Sequence, residues 1–323
     1  MRVSAVIPTW NRRDLLVSIL GDLQSQTHPP AETIVVDNGS TDGSAGAARA
    51  LGVTVIELPE NRGFAYAVNR GIEAAGGDWI AILNNDIHLP PHWLEQLLQA
   101  AIHHNASFAT GKLLRTAEPS TIDGAYDLLS RSACALRAGN GVPDSASWDN
   151  ESRIDFAPLT AALFRRDLFQ NIGLLDESFE SYLEDVDFGL RCALAGYSGL
   201  YVGSVSATHE ASATLGRWNP ETVRRIARNQ LLLVARHYPP GWIWRYGWPV
   251  LIGQFLWTLV AIRHRTGLAC LRGKWEGLRT LIAQPRRSSP GLDPLLRHSE
   301  RQIRDLQQAT GYDLFWRLYF LLT

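Results

Sequence analysis

Four short apolar runs, each stopped by a cluster of turn-forming polar residues, recur within the first hundred residues: Val3–Ile7, Thr33–Val36, Val53–Leu58 and Trp79–Leu83. Between them lie segments with helical spacing, Asp14–Leu23 and Phe64–Ala75. Pro91–Ala101 follows with proline in its first turn. Strands alternating with helices through short connections predict an α/β fold with a mostly parallel sheet. In open sheets of that kind, ligands collect at the carboxyl ends of the strands. The polar clusters fall at those ends: Pro8-Thr9-Trp10-Asn11-Arg12, Asp37-Asn38-Gly39-Ser40-Thr41-Asp42-Gly43, Glu60-Asn61-Arg62-Gly63 and Asn84-Asn85-Asp86. Any one alone reads as a turn or helix cap. Four on one sheet edge read as a binding site.

What the edge lacks narrows the ligand. No G-x-G-x-x-G follows the first strand and no G-x-x-x-x-G-K-[ST] occurs anywhere, so neither a dinucleotide fold nor a P-loop is supported. A nucleotide bound here would have its base read by side chains such as Asp37. Its diphosphate would need a countercharge, because residues 1–216 carry 14 Lys and Arg against 26 Asp and Glu. A divalent cation supplies it, since hard cations are shared between one or two carboxylates and substrate phosphates. Asp86, beside the amides of Asn84 and Asn85, suits that role.

Residues 105–160 lose periodicity, with Gly, Ser, Asp and Pro clustered around Gly139–Ser147, and read as a mobile surface loop region. Periodicity returns with Phe156–Phe164, a short helix at Arg166–Ile172, and an acidic loop at Asp176–Asp187 that opens a helix running to Ala195. Strand-like Gly199–Val202 and Val205–Thr208 follow. Acidic residues in a first helical turn, here Glu184, Asp185 and Asp187, complement the helix dipole and cap free amides. Asp185 stands out because it belongs to a dense acidic loop with Asp176, Glu177 and Glu180. His209 ends a strand, where a lone histidine is ordinarily structural.

The overall charge of −1 is a cancellation, because residues 217–323 carry 17 Lys and Arg against 6 Asp and Glu, and seven of the 11 Trp. Two domains are therefore expected, 1–216 and 217–323, with the tail beginning near Arg217. Thr222–His237 reads as a basic helix. Tyr246–Ile262 is 17 residues without a formal charge, flanked by Arg245 and by Arg263, His264 and Arg265. A bilayer-spanning helix takes roughly 20 apolar residues, with about 17 as a lower limit. With Pro249, Gly253 and Gln254 inside it, this run fits an interfacial or protein-buried helix better than a span.

Together, Pro8-Thr9-Trp10-Asn11-Arg12, Val35-Val36-Asp37 with its following loop, Asn61-Arg62-Gly63-Phe64-Ala65, Leu83-Asn84-Asn85-Asp86, Leu174-Leu175-Asp176-Glu177-Ser178-Phe179 and Glu184-Asp185-Val186-Asp187 resemble the family 2 inverting glycosyltransferases. The bacterial rhamnosyltransferase-like branch is the most similar, over residues 3–235. The resemblance implies a GT-A fold, a Rossmann-like nucleotide-binding unit around a mostly parallel central sheet, with a C-terminal helical membrane-associating region. It implies that Pro8, Thr9, Asn11, Asp37 and Asn38 bind the nucleotide sugar, Asp37 reading the base. Asn61, Gly63, Asn69, Asn84, Asn85 and Asp86 join them. Asp185 is implied as general base, Glu184 as an acceptor-side residue, and Asp86 with His209 as ligands of Mg2+ or Mn2+. Asn84-Asn85-Asp86 stands where many members have Asp-x-Asp, and only its last carboxylate is kept. The implied reaction is metal-assisted direct displacement from a nucleotide-diphosphate sugar, dTDP-rhamnose favoured. The acceptor is a hydroxyl of a glycan or polyprenyl-linked sugar in cell-surface polysaccharide synthesis.

Cys134, Cys192 and Cys270 are far apart and form no C-x-x-C pair, so a disulfide framework and a structural zinc site are disfavoured. The first apolar run is too short for a signal peptide. A cytoplasmic protein, peripheral or monotopic on the anionic inner face of the membrane, is expected. A homo-oligomer is compatible with the sequence, and no nucleic-acid-binding motif supports that use of the basic tail. A non-catalytic nucleotide-sugar-binding subunit is the competing reading, disfavoured by intact candidates for base and metal ligand. A sugar nucleotidyltransferase is disfavoured because Pro8–Asp14 lacks a glycine-rich basic segment.

Overall fold

Strand β1 (Val3–Thr9) is buried along nearly its whole length, which explains an apolar run with no alternation. Helix α1 (Arg13–Gln24) buries Leu16, Ile19, Leu20 and Leu23 on its way to β2 (Glu32–Asp37), and α2 (Ser44–Ala50) leads to β3 (Thr54–Glu57). Helix α3 (Phe64–Ala74) then returns the chain to β4 (Trp79–Leu83), which pairs with the opposite side of β1. All of these pairs are parallel, and the reversal of direction puts a switch point between the ends of β1 and β4.

The computed structural model describes residues 1–210, 218–283 and 289–323. After β4 come β5 (Ile87–His88), α4 (Trp93–His103), β6 (Phe108–Arg115) and β7 (Ile122–Gly124). A hairpin, β8 (Asp127–Leu129) with β9 (Ala135–Arg137), precedes β10 (Glu151–Ile154), β11 (Ala161–Arg165), α5 (Arg166–Ile172), α6 (Glu184–Leu194) and β12 (Gly199–His209). The sheet runs β10-β12-β6-β11-β4-β1-β2-β3, with β5 added to β12 and β7 to β6. Strand β11 lies antiparallel between β4 and β6, while β12 is parallel to β6.

Residues 105–160 correct the expectation of a loop region: they hold the five strands β6 to β10. Strands β7 to β10 have three or four residues, too few to show a period of two. Strand β6 is buried along its first six residues, including Thr110 and Lys112, so it has no alternation either. The ammonium of Lys112 bonds Asp144 at 2.7 Å and Asp149 at 2.6 Å and so anchors the Gly139–Ser147 stretch. The two strands expected at 199–208 are one strand, β12, with an irregularity between Val202 and Ser206.

The chain divides into two compact units, Met1–Tyr126 with Gly139–Ala211, and Asp127–Ala138 with Ser212–Thr323. The boundary expected near Arg217 lies outside the described residues. In the second unit, α7 (Pro220–His237), α8 (Trp242–Arg263), α9 (Gly267–Ala283), α10 (Leu292–Thr310) and α11 (Leu314–Leu322) pack with the β8–β9 hairpin. Glu300 fastens that hairpin, accepting hydrogen bonds from the Arg131 backbone N–H and side chain and from the Tyr319 hydroxyl. The uncharged Tyr246–Ile262 lies inside α8, and among the described residues no helix is long and apolar enough to cross a membrane.

Gly111 faces the irregularity in β12, and a Cβ there would collide with the Val205 backbone carbonyl. A backbone atom cannot step aside as a side-chain tip can. Gly111→Ala is therefore expected to destabilise the fold by about 1–3 kcal/mol, the usual cost of overpacking. Urea denaturation of the full chain, unchanged by the substitution, would refute this account of the irregularity.

Candidate active site

The ends of β1 and β4 meet at the switch point through side chains. Asn85 Nδ2 donates to Thr9 Oγ1 at 2.8 Å, and Thr9 is buried. Pro8, one residue earlier, still pairs with Val36 of β2. The Asn84 backbone N–H bonds Thr160 O, and its side-chain oxygen is buried without a hydrogen-bond partner. At the end of β2, buried Asp37 accepts the Ser40 N–H on Oδ1.

Asn38 ties this edge to the next loop with both ends of its amide. Nδ2 donates to Asn61 Oδ1 and Gly63 O, and Oδ1 accepts the Arg62 N–H, all at 3.0–3.1 Å. Asn11, with φ of 50°, binds the Thr41 N–H through Oδ1 and gives its own N–H to Ser40 Oγ. Asn69, expected beside the nucleotide, is committed to protein partners. It is buried in α3 with Nδ2 on Leu175 O and Glu177 and Oδ1 on the Leu175 N–H. Its work is to pin the segment that leads to the acidic loop.

That loop reaches the strand-end cluster over Gly63. A Cβ on Gly63 would lie 2.8 Å from Glu180 O, and its φ of +88° also demands glycine. The Ala65 N–H donates to Glu180 O and the Phe64 N–H to Ser181 Oγ. Glu180, Tyr182 and Leu183 all have positive φ, 59°, 73° and 67°, a costly conformation for such residues. Helix α6 starts immediately after. Asp185 in its first turn is half-buried and accepts the Val186 N–H, whereas Glu184, expected on the acceptor side, is buried. Asp187 is fully buried against Arg191, whose guanidinium also donates to Ile172 O and Leu174 O. Asp187 and Arg191 are thus structural.

Asp86 and His209 come together as expected, with a third member that sequence patterning missed. His209 Nε2 lies 3.3 Å from Asp86 Oδ1, and Nδ1 lies 2.7 Å from Asp123 Oδ2. Asp123 sits in Ile122-Asp123-Gly124, which reads locally as a turn; only the added strand β7 brings it here. Burial alone would lower the His209 pKa, but hydrogen bonds and charge from Asp123 and Asp86 outweigh it and raise it to about 9. Asp86 Oδ1 is buried, and His209 Nε2 is the group that faces it. Two neighbouring ligands on one octahedral ion at about 2.1 Å stand about 3 Å apart, so this oxygen and His209 Nε2 fit one cation. Among the described residues no cluster of three or more such side chains could hold a metal alone. The remaining positions would fall to phosphate oxygens and water, as is usual for Mg2+.

The model of the family described as Glycosyl transferase family 2 matches residues 4–173. An N-acetylglucosaminyl-diphospho-decaprenol L-rhamnosyltransferase of Mycobacterium tuberculosis is 28% identical over 268 residues, which cover 74% of this chain and 85% of that protein. Among solved structures, the mannosyltransferase PcManGT of Pyrobaculum calidifontis, in complex with GDP-Man and Mn2+, has a TM-score of 0.54 at 18% identity, over 99% of this chain and 86% of that one. GalNAc-T7 with UDP, GalNAc and Mn2+ has a TM-score of 0.61 at 14% identity, over 79% of this chain and 51% of that one. At such identities the likeness to the two structures is one of fold.

The Asn69 geometry makes a distinct prediction. Asn69→Leu strands a buried backbone N–H and C=O of Leu175, at about 1–3 kcal/mol for each group left unsatisfied. Denaturant midpoints should fall accordingly, while nucleotide affinity of the folded fraction stays near wild type. A stable variant that has lost nucleotide binding would return Asn69 to the ligand.

Proposed function

The chain belongs to glycosyl transferase family 2, and from that premise we propose that this GT-A glycosyltransferase inverts configuration, with Asp185 as base. The observation that carries the reading is the buried oxygen of Asp86 facing His209 Nε2 at 3.3 Å at the carboxyl edge of the sheet. The acceptor hydroxyl oxygen bonds the anomeric carbon as that carbon's bond to the diphosphate breaks. Asp185 takes the hydroxyl proton, and the nucleoside diphosphate leaves with the bonding electron pair. Mg2+ or Mn2+ held by Asp86 and His209 would neutralise charge growing on the leaving group. Thr9, Asp37, Asn38 and Asn85 shape the nucleotide side. The rhamnosyltransferase relative supports transfer of a rhamnosyl group, which we take from dTDP-rhamnose, to a polyprenyl-linked or glycan acceptor in cell-surface polysaccharide synthesis.

A lipid-linked acceptor requires access to a bilayer, and the second unit has a face suited to one. Trp244, Trp248, Leu251, Phe255, Leu259 and Ile262 recur at three- and four-residue steps along α8 and are all exposed, Trp244 at 94%. Leu268, Leu271, Trp275, Leu278 and Ile282 do the same along α9. Between residues 242 and 283 six Lys and Arg stand against the single acid Glu276, which Arg224 and Arg272 engage. Exposed Arg263, Arg265, Arg272 and Arg279 border the stripes. Helices of this kind lie in the interface plane, each basic residue near an anionic surface contributing about 1 kcal/mol. A second copy seated on the same face would oppose like charges, so a peripheral position on the anionic cytoplasmic leaflet is the better reading.

Three measurements test these statements. Asp185→Asn should retain nucleotide binding and lose about 10²-fold or more in turnover, the usual contribution of a positioned base; wild-type turnover would remove Asp185 from that role. In a thermal-shift screen of UDP, GDP and dTDP with and without Mn2+, dTDP with Mn2+ should stabilise most. No shift with any nucleotide would overturn the donor reading. The full chain should float with phosphatidylglycerol vesicles at low salt, and Leu251→Glu with Phe255→Glu should stay behind without loss of melting temperature. Equal flotation of both would refute the membrane face.

A further inference from the structure

We propose that Asp123 is a positioning residue for the metal: it holds the His209 ring so that Nε2 is the nitrogen offered to the ion beside Asp86. The inference rests on the metal reading of Asp86 and His209 given above, and extends it to a residue outside both motifs. Three observations carry it.

The first is distance. Asp123 Oδ2 lies 2.7 Å from His209 Nδ1, in the range of a charge-assisted hydrogen bond, whereas its other oxygen is 3.8 Å from Arg115 Nε. His209 is thus the closer of these two, and both side chains are nearly buried, at 12% and 11% exposure. With Nδ1 committed to a carboxylate, the ring cannot turn over, and Nε2 faces Asp86 Oδ1. A metal-binding histidine ordinarily has its second nitrogen fixed in this way, which sets the tautomer and raises ligand basicity.

The second is register. Strand β7 pairs Gly124 with Leu113 and Ile122 with Leu114, so Asp123 is the extra residue of a bulge. Bulges re-aim a side chain and gather beside active sites. The neighbouring strand carries an irregularity too, between Val202 and Ser206, before β12 resumes and pairs His209 with Arg115. Two departures from regular pairing thus flank the Asp123–His209 contact. The third is anchorage: Asn140 Nδ2 donates to Asp123 O at 2.7 Å and fixes the backbone at the bulge. A carboxylate needed only to balance Arg115 would require neither the bulge nor the anchor.

Mn2+ binding to the full chain tests this, followed by the free-ion electron paramagnetic resonance signal with UDP, GDP or dTDP present. Asp123→Ala should weaken Mn2+ about 10–100-fold, the usual effect of removing an outer-shell partner. Nucleotide affinity without metal should be unchanged. In a His209→Ala background the same substitution should have no further effect, because the two residues act as one unit. Nitrogen coupling to bound Mn2+ in pulsed spectra should be present in wild type and weakened in Asp123→Ala. Asp123→Asn, which keeps size and an acceptor oxygen, should lose less and serves if the alanine variant fails to fold. Wild-type Mn2+ affinity in the Asp123 variants, or an equal loss in the His209→Ala background, overturns the inference while leaving the metal site standing. Wild-type protein that binds no Mn2+ with any of the three nucleotides overturns the metal reading and this inference together.

Discussion

The polar edge of this sheet is held by asparagine amides, and the rest of the site depends on them. Loops at strand ends bury backbone groups that no ladder or helix satisfies, and buried polar groups need partners. Asn38 answers with both ends of one side chain, donating to Asn61 and Gly63 and accepting from Arg62. Asn69 does the same from α3, toward Leu175. Between them stands Gly63, over which Glu180 and Ser181 close. Aspartate at either asparagine would supply acceptors only, so the donor half of each clasp would be missing. Through these clasps, with Asn11 on Thr41 and Asn85 on Thr9, the ends of β1, β2 and β4 and the loop before α6 form one surface.

That surface has an electrostatic problem, because the unit that should grip a polyanion is itself acidic. The buried group Asp86–His209–Asp123 bears on it. Two carboxylates face one imidazole, and the imidazole is held strongly toward its charged form, with a pKa raised to about 9. Positive charge between carboxylates is what this corner of the fold is built to keep, and a divalent cation with phosphate oxygens satisfies the same arrangement. A bare basic patch on this unit would bind phosphates indiscriminately.

Much of this was legible in the sequence where one element is buried on both faces or repeats with a clear period. Trp79–Leu83 and Arg166–Ile172 have the predicted limits, and Asp86 and His209 meet although 123 residues apart. Legibility failed where structure depends on short or distant pairings. Strands β7 to β10 are too brief for periodicity, and Asp123 looks like a turn residue until β6 gives it a partner strand. Asn69 lies on the expected helix, but its bonds to Leu175 are not legible, since the direction of a side chain cannot be read from its position in a motif. The stripes of α8 and α9 were hidden by composition: an uncharged run announces apolarity, and only the packed helices show which residues remain outside.

The departures from local rules supply an independent argument for where the chemistry lies. Among the described residues seven non-glycine residues have positive φ, and three of them have ordinary causes. Asn105 and Arg265 follow the C-caps of α4 and α8, where left-handed residues are expected, and Ala133 turns the β8–β9 hairpin. The other four gather at the proposed site, Asn11 after β1 and Glu180, Tyr182 and Leu183 before Asp185. Such residues cost about 1–3 kcal/mol each and persist where the surroundings over-determine them. The clasp onto Gly63 and Ala65 is that surrounding structure. A chain that only needed to start α6 could do so with a relaxed cap. The strained approach sets the first turn, and with it Asp185, at one fixed angle to the loop, which suits the proposed role of Asp185 toward an acceptor hydroxyl.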